Sequence, residues 1–232
     1  MKNIKIVYIA TNKYIERFKY FLEELKYFYP NDHKEVILLS NVHVHKYDDY
    51  NHNNVSIKFY MIDHYPWPII ALFKMHYIKK FITENDDFIF YFNSNAYPKR
   101  YFNDQDLLND DRLICFRVKK EGYFKTWNDL NPFNHEIKYV QSGLFGGNYN
   151  SILEMCNYVT NRVNELLRKN IIDKLHDETA LNSYISVLDS SKYVIKDWYD
   201  IAILDYERFN SGLGLDNKLH THYGILDRVE IY

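Results

Sequence analysis

The feature that most constrains this chain is an alternation of β-branched apolar runs with helically spaced apolar residues, beginning at the first residues. Short apolar runs predict buried strands, and the segments between them carry large apolar side chains on one helical face. The predicted strands cover residues 4–10, 35–40, 56–62, 87–92, 113–118 and 139–145, and the predicted helices cover residues 14–29, 69–82, 150–169 and 177–188. This order predicts an α/β fold with a mostly parallel sheet covered by helices.

The composition excludes several other classes of protein. Seven glycines and five prolines in 232 residues are too few for the tight turns of a many-stranded sandwich or barrel. Twenty-nine basic against 31 acidic residues give a net charge of −2, which excludes the basic footprint of a nucleic-acid-binding protein. Cys115 and Cys156 lie in apolar runs, so we expect buried thiols, no disulfide scaffold and a reducing compartment.

Membrane and secretion signals are absent from the sequence. No apolar run reaches the ~18 residues that a membrane-spanning helix needs, and the first residues lack the apolar core of a signal peptide. We therefore expect no transmembrane segment and a cytoplasmic protein, with peripheral contact to the inner membrane left open.

Polar residues follow two of the predicted strands directly. Parallel sheets bind ligands beyond the carboxyl ends of their strands, which directs attention to residues 10–14 and 93–95. At the place of residues 93–95, many nucleotide-sugar glycosyltransferases carry Asp-x-Asp, whose carboxylates hold a divalent ion. Asn93-Ser94-Asn95 offers only neutral amides, which do not neutralise a dication, and an ordinary turn is the alternative interpretation.

Two further motifs carry chemistry. In His176-Asp177-Glu178-Thr179, Asp177 is a candidate N-cap, while Glu178 is a carboxylate able to act as nucleophile or to stabilise a cationic sugar. No second histidine stands four residues from His176, so zinc is not expected there. The other motif, residues 143–147, contains three of the seven glycines. It fits neither a dinucleotide-binding loop nor a P-loop. The remaining interpretations are that its glycines let the backbone pack against a sugar or let the chain reverse direction. The histidines of residues 43–52 and 220–222 are interpreted as loop residues rather than as metal ligands.

Taken in order, these pieces resemble the retaining glycosyltransferase family of the ABO blood-group transferases and α-1,3-galactosyltransferase, glycosyltransferase family six. The similar stretches are residues 9–14, 67–74, 93–95, 143–147 and 176–182. The resemblance implies a GT-A-type nucleotide-sugar-binding fold, a UDP-sugar donor and an α-1,3 linkage to a galactose-containing oligosaccharide or glycolipid. Bacterial members of the family also carry Asn-x-Asn and lack a membrane anchor, so it further implies transfer without a divalent metal or other cofactor.

The resemblance also implies a role for individual residues. Glu178 is the implied catalytic carboxylate, and His176 and Asp200 are implied to meet the sugar or acceptor. The implied donor-binding residues are Ala10, Thr11, Tyr14, Lys74, Asn93, Asn95, Gly143, Asp177, Lys218 and Arg228. Gly143 leaves room for a 2-acetamido group and favours UDP-N-acetylgalactosamine over UDP-galactose, while the neighbouring Gln141 departs from the family.

We predict one catalytic domain over residues 1–232, since no linker or repeat interrupts the chain. Residues 1–95 form its nucleotide-binding half, residues 96–209 its sugar and acceptor half, and residues 210–232 a C-terminal lid. The segment that shapes the family's acceptor pocket has no clear counterpart in residues 114–138, and Leu175 replaces an expected tryptophan. Two other functions stay open: a non-catalytic module that binds nucleotide-sugars or glycans, and an inverting GT-A transferase in which Glu178 is a general base.

Overall fold

A computed structural model describes residues 2–66, 68–86, 88–98, 101–117, 140–173 and 176–196, and the backbone of residues 197 and 202–204. In this part of the chain, an eight-stranded sheet is covered by helices on both faces. Its strands are β1 (Asn3–Ile9), β2 (His33–Ser40), β3 (Asn51–His52), β4 (Val55–Met61), β5 (Phe88–Asn93), β7 (Leu113–Arg117), β8 (Gln141–Gly147) and β9 (Tyr193–Asp197). A separate antiparallel pair joins β6 (Ala96–Pro98) to β10 (Ala202–Leu204).

The sheet is mostly parallel, with one reversed strand near its middle and the short edge strand β3 antiparallel to β4. The order is β3-β4-β2-β1-β5-β8-β7-β9, and β4, β2, β1 and β5 run parallel to one another. Strand β8 runs antiparallel to both of its neighbours, while β7 and β9 are again parallel. The predicted α/β fold is confirmed. The reversal of β8 carries its first residues to the edge where β1 and β5 end.

Five α-helices pack against this sheet within the described residues. They are α1 (Phe18–Glu24), α2 (Ile69–Leu72), α3 (Lys74–Phe81), α4 (Tyr149–Arg168) and α5 (Asp177–Val187). Side chains of β1 alternate between the two faces: Tyr8 packs on the α1 side, and Val7 packs on the side of α3, α4 and α5. No helix in the described ranges is both long and apolar enough to cross a membrane.

Two predicted helices are interrupted. The helix predicted over residues 14–29 is instead α1 between two 3₁₀ segments, Asn12–Arg17 and Leu25–Tyr27. Its buried phenylalanines and leucines are often three residues apart, a spacing that suits the three-residue turn of a 3₁₀ helix. The helix predicted over residues 69–82 is divided at Phe73 into α2 and α3.

The chain reversal considered for the glycine motif is wrong, because Gly146 and Gly147 lie inside β8. A Cβ at Gly146 would lie 2.5 Å from the ring of Phe90 on the neighbouring strand. Glycine therefore allows an aromatic ring to lie directly against the backbone of β8.

Candidate active site

Three strands meet at the candidate site. In the register of the sheet, Asn93 at the end of β5 pairs with Ile9 at the end of β1. On the other side of β5, Phe92 pairs with Leu144, which brings Gly143 level with Asn93. The sequence motifs at residues 10–14, 93–95 and 141–143 thus share one edge of the sheet.

Helix α5 is fixed to this edge by the side chain of Asn182. Its amide oxygen accepts from the backbone N–H of Val140 at 3.0 Å, and its amide nitrogen donates to the Val140 carbonyl at 2.9 Å. The same nitrogen donates to the carbonyl of Glu178 at 2.8 Å. Because these groups are buried and mutually satisfied, they orient the first turn of α5 toward the start of β8.

The carboxylate of Glu178 is held by Ser142. The backbone N–H of Ser142 donates to Oε2 of Glu178 at 3.0 Å, and the Ser142 hydroxyl donates to the same oxygen at 3.3 Å. Hydrogen bonds to a charged acceptor are stronger than neutral ones, so they define where this carboxylate lies. No local pattern in the sequence singles out Ser142, because its partner Glu178 lies 36 residues away.

Lys74 forms a buried ion pair with Asp177. The ammonium nitrogen lies 2.6 Å from Oδ2 of Asp177, and the two side chains are only 5 % and 6 % exposed. Lys74 also donates to the carbonyl oxygen of Ser142 at 2.7 Å and to its hydroxyl oxygen at 3.0 Å. A lysine at this position is usually solvated; here it is instead an internal link between α3, β8 and α5.

Tyr91 connects this ion pair to the asparagine motif. Lys74 Nζ lies 4.9 Å from the centre of the Tyr91 ring, and the Tyr91 hydroxyl donates to Oδ1 of Asn93 at 3.4 Å. Burial raises the pKa of Tyr91 well above its usual range, and the charge of Asp177 adds to that rise. Tyr91 is therefore a neutral hydrogen-bond donor beside Asn93.

Asn95 presents an unusual acceptor. Its amide oxygen is buried and has no hydrogen-bond partner within the described part of the chain. A buried acceptor without a donor costs free energy, so this oxygen is suited to accept a hydrogen bond from a ligand hydroxyl.

The residues after β1 form the other side of the edge. Ala10 and Thr11 are buried, and the backbone N–H of Ala10 donates to the carbonyl of Leu39 on β2 at 2.9 Å. Tyr14 is half-buried, with the guanidinium of Arg17 over its ring at 4.7 Å. The family resemblance implies that Tyr14 stacks on the base of the donor, and its ring already carries a cation on one face.

His176, not Asp177, is the N-cap of α5, and Asp177 is the first helical residue. The backbone of His176 has φ 54°, a conformation that L-residues seldom adopt and that often marks functional sites. Its ring nitrogen Nδ1 lies 2.9 Å from the carbonyl oxygen of Asp173, and burial lowers the pKa of the imidazole.

Some predicted residues fall outside the described residues. They are Asp200, Lys218 and Arg228, together with Leu175, residues 118–138 and the lid over residues 210–232.

Comparison with known proteins gives one informative match. No protein-family model matches the chain. The O-antigen biosynthesis glycosyltransferase WbnI of Escherichia coli is 25 % identical over 207 residues, covering 78 % of this chain and 81 % of that protein. The chain is thus similar to a glycosyltransferase over most of its length. This similarity, together with the α/β fold, supports a sugar transferase, and membership in glycosyltransferase family six stays a prediction.

Proposed function

We propose that this chain is a retaining glycosyltransferase that moves N-acetylgalactosamine or galactose from a UDP-sugar, in α-1,3 linkage, to a galactose-containing oligosaccharide or glycolipid. The main support is the position of the Glu178 carboxylate. Two hydrogen bonds from Ser142 hold it at the edge of the sheet where ligands of such folds bind. The similarity to WbnI supports the transferase class, and its role in O-antigen biosynthesis supports a glycan acceptor.

In the proposed reaction, Glu178 acts at the anomeric carbon of the donor sugar. The bond from C1 to the diphosphate oxygen breaks, and its electron pair leaves with UDP. Glu178 stabilises the cationic sugar from the opposite face, as a covalent nucleophile or as an ion-pair partner. The acceptor hydroxyl then forms the new bond to C1 on the face that UDP left, and any covalent bond between C1 and Glu178 breaks with its electron pair returning to the carboxylate. The hydroxyl proton passes to the departed diphosphate oxygen, and the configuration at C1 is retained.

Asp177 has a different role from Glu178, although the two residues are adjacent. Its charge is already balanced by Lys74 at 2.6 Å, so it is a poor nucleophile but a good acceptor for sugar hydroxyls. Two neighbouring acids in unlike surroundings can divide the work between donor binding and stabilisation of the cationic sugar.

The residues near the diphosphate do not fit a divalent cation. Asn93 and Asn95 supply neutral amides, and the carboxylate of Asp177 is taken up by Lys74. We therefore propose that amide donors stabilise the leaving diphosphate, with Lys218 and Arg228 of the C-terminal segment as the added cations. Lys74 acts on the donor through Asp177 and Ser142.

The test is turnover and product stereochemistry with the full chain. UDP-N-acetylgalactosamine, UDP-galactose and UDP-glucose are each offered with a β-galactoside, and the anomer is read by NMR. Glu178→Gln keeps the size of the side chain and removes its charge, so turnover should fall by roughly 10²–10³-fold while UDP affinity in calorimetry stays nearly unchanged. Glu165→Gln, an exposed acid of α4, is the matched control and should behave as wild type.

Three results would contradict the proposal. Near-wild-type transfer by Glu178→Gln would remove its catalytic role. A β-linked product would favour the inverting alternative, and UDP-sugar binding without any turnover would favour a binding module. A preference for UDP-galactose would overturn only the donor choice drawn from Gly143.

A further inference from the structure

A second cluster of side chains with ligand chemistry lies on the loop after β2, apart from the candidate active site. Nε2 of His43 is 3.1 Å from Oδ1 of Asp48, and Nδ1 of His45 is 3.4 Å from Oδ2 of the same carboxylate. One ligand atom from each residue lies within 4.8 Å of the other two. We propose that these three residues bind a divalent transition metal of the zinc class. The proposal does not depend on the transferase function.

Each imidazole nitrogen lies at a spacing from the Asp48 carboxylate that suits a shared tetrahedral ion, His43 at Oδ1 and His45 at Oδ2. Metal–ligand bonds of about 2.0–2.1 Å at tetrahedral angles separate neighbouring ligand atoms by roughly 3.3 Å. The two nitrogen–oxygen distances, 3.1 and 3.4 Å, lie on either side of that value. An ion can therefore be held between the imidazoles and the carboxylate with small movements of the side chains.

The loop holds the three residues in place before any metal arrives. His45–Tyr47 is a 3₁₀ turn, closed by a hydrogen bond from the backbone N–H of Asp48 to the His45 carbonyl at 3.1 Å. Residues three apart lie on one side of such a turn, which aligns His45 with Asp48. Tyr47 is buried with its ring 4.9 Å from that of Phe18, so the turn is anchored in the core.

The third ligand is positioned by a contact of its own. The ring of His43 packs on Phe59 of β4 with a centroid separation of 4.9 Å, and it meets the His45 ring at 4.3 Å, nearly perpendicular. A protein that presents ligands on packed side chains loses little entropy when a metal binds.

The ligand types select the metal. Two imidazoles and one carboxylate suit zinc, nickel or copper, whereas magnesium and calcium prefer oxygen ligands alone. The nearest basic neighbour in sequence, Lys46, has its ammonium 4.9 Å from the centre of the Tyr47 ring. Three protein ligands leave a fourth position for water, and all three residues are exposed to solvent.

The site is tested by calorimetric titration of the full chain with zinc chloride at pH 7.5. We expect one ion to bind at micromolar zinc, and His43→Ala/His45→Ala to weaken that binding at least tenfold. The matched control is His220→Ala/His222→Ala, which removes another His-x-His pair of the sequence and should leave the affinity unchanged. Circular dichroism checks that each variant is folded, and Asp48→Asn, which keeps the shape of the side chain, should also weaken binding.

A further readout identifies the chemistry. Cobalt(II) should give the intense visible absorption of a tetrahedral ion in wild type, and the loop variant should lose that absorption. The proposal would be overturned if wild type and the loop variant bound zinc with equal affinity, or if only the control variant lost binding. It would also be overturned by an equal affinity for magnesium, or by no binding at millimolar zinc.

Discussion

Ser142 joins three elements of the candidate site through one small side chain. Its hydroxyl donates to Glu178 and accepts from Lys74, and Lys74 in turn pairs with Asp177. A serine hydroxyl has both functions at once, so it can transmit the position of the lysine to the carboxylate. Ser142 is thus a positioning residue for Glu178.

Replacing Ser142 should therefore affect turnover more than donor binding. Ser142→Ala removes the hydroxyl's hydrogen bonds to Glu178 and from Lys74, and it leaves the backbone donor to Glu178 in place. The lost hydrogen bond to Glu178 is worth ~1.5–3 kcal/mol. We expect kcat to fall roughly 10–100-fold with little change in KM for the UDP-sugar, as measured by initial rates. Ser142→Thr keeps the hydroxyl and suits a strand, so it should recover most of the loss. An unchanged kcat in the alanine variant, or a threonine variant as slow as alanine, would contradict this role.

The sequence motifs name several side chains that the fold brings together at the candidate site, but not how these side chains pair. Glu178 and Asn93 stand in recognisable motifs next to apolar runs. Lys74 meets Asp177, 103 positions later in the chain, only because α3 and α5 pack on the same face of the sheet. The burial of that ion pair depends on the whole fold, and no local sequence pattern predicts it.

At the level of the elements, β8 shows how glycine serves packing in a strand. Gly146 pairs with Phe90 on one side and with Ile114 on the other. The Phe90 ring occupies the space where a side chain at this position would lie. Position 146 therefore requires glycine for packing, even though a residue in an extended strand does not need glycine for its backbone conformation.

Alanine at the two glycines of β8 should therefore have unequal costs. The Cβ of Gly146→Ala would lie 2.5 Å from two ring carbons of Phe90 and 3.1 Å from the Ile89 carbonyl oxygen, and overpacking of this kind costs ~1–3 kcal/mol. The Cβ of Gly147→Ala would crowd mainly the hydroxyl of Ser151, which can rotate away, so its cost should be smaller. Urea unfolding followed by circular dichroism measures both, and equal losses of stability would contradict this account.

Strands were easier to predict than helices in this chain. The predicted strand over residues 35–40 and the observed β2 (His33–Ser40) differ only at one end, because a buried strand is a continuous apolar run. The helix predicted over residues 14–29 failed as a single element, because apolar residues three apart satisfy α and 3₁₀ geometry alike.

In the molecule as a whole, the parallel half of the sheet followed from the alternation of strands and helices, but the reversed strand did not. The direction of β8 depends on segments distant in sequence, and its neighbours β5 and β7 both precede it in the chain. That reversal matters for function, since it places Ser142 and Gly143 beside the end of β5.

The two proposed ligand sites of this molecule respond differently to metal removal. Asn93 and Asn95 offer no negative charge to a cation, so donor turnover should persist in EDTA and should not increase when manganese is added. A chelator would also strip zinc from the loop of His43, His45 and Asp48, and that loop is next to Asn41, which exchanges hydrogen bonds with Asn12 beyond β1.

The decisive measurement therefore uses His43→Ala/His45→Ala as the enzyme, in which EDTA can act only elsewhere. We expect its initial rates with UDP-N-acetylgalactosamine to agree with and without EDTA to within about twofold, a difference of only ~0.4 kcal/mol in the activation free energy. Wild type compared with this variant then isolates any effect of the loop metal on turnover. If the variant loses activity in EDTA and recovers it with manganese, a divalent ion acts at the diphosphate, and the amide-based stabilisation proposed for Asn93 and Asn95 is wrong.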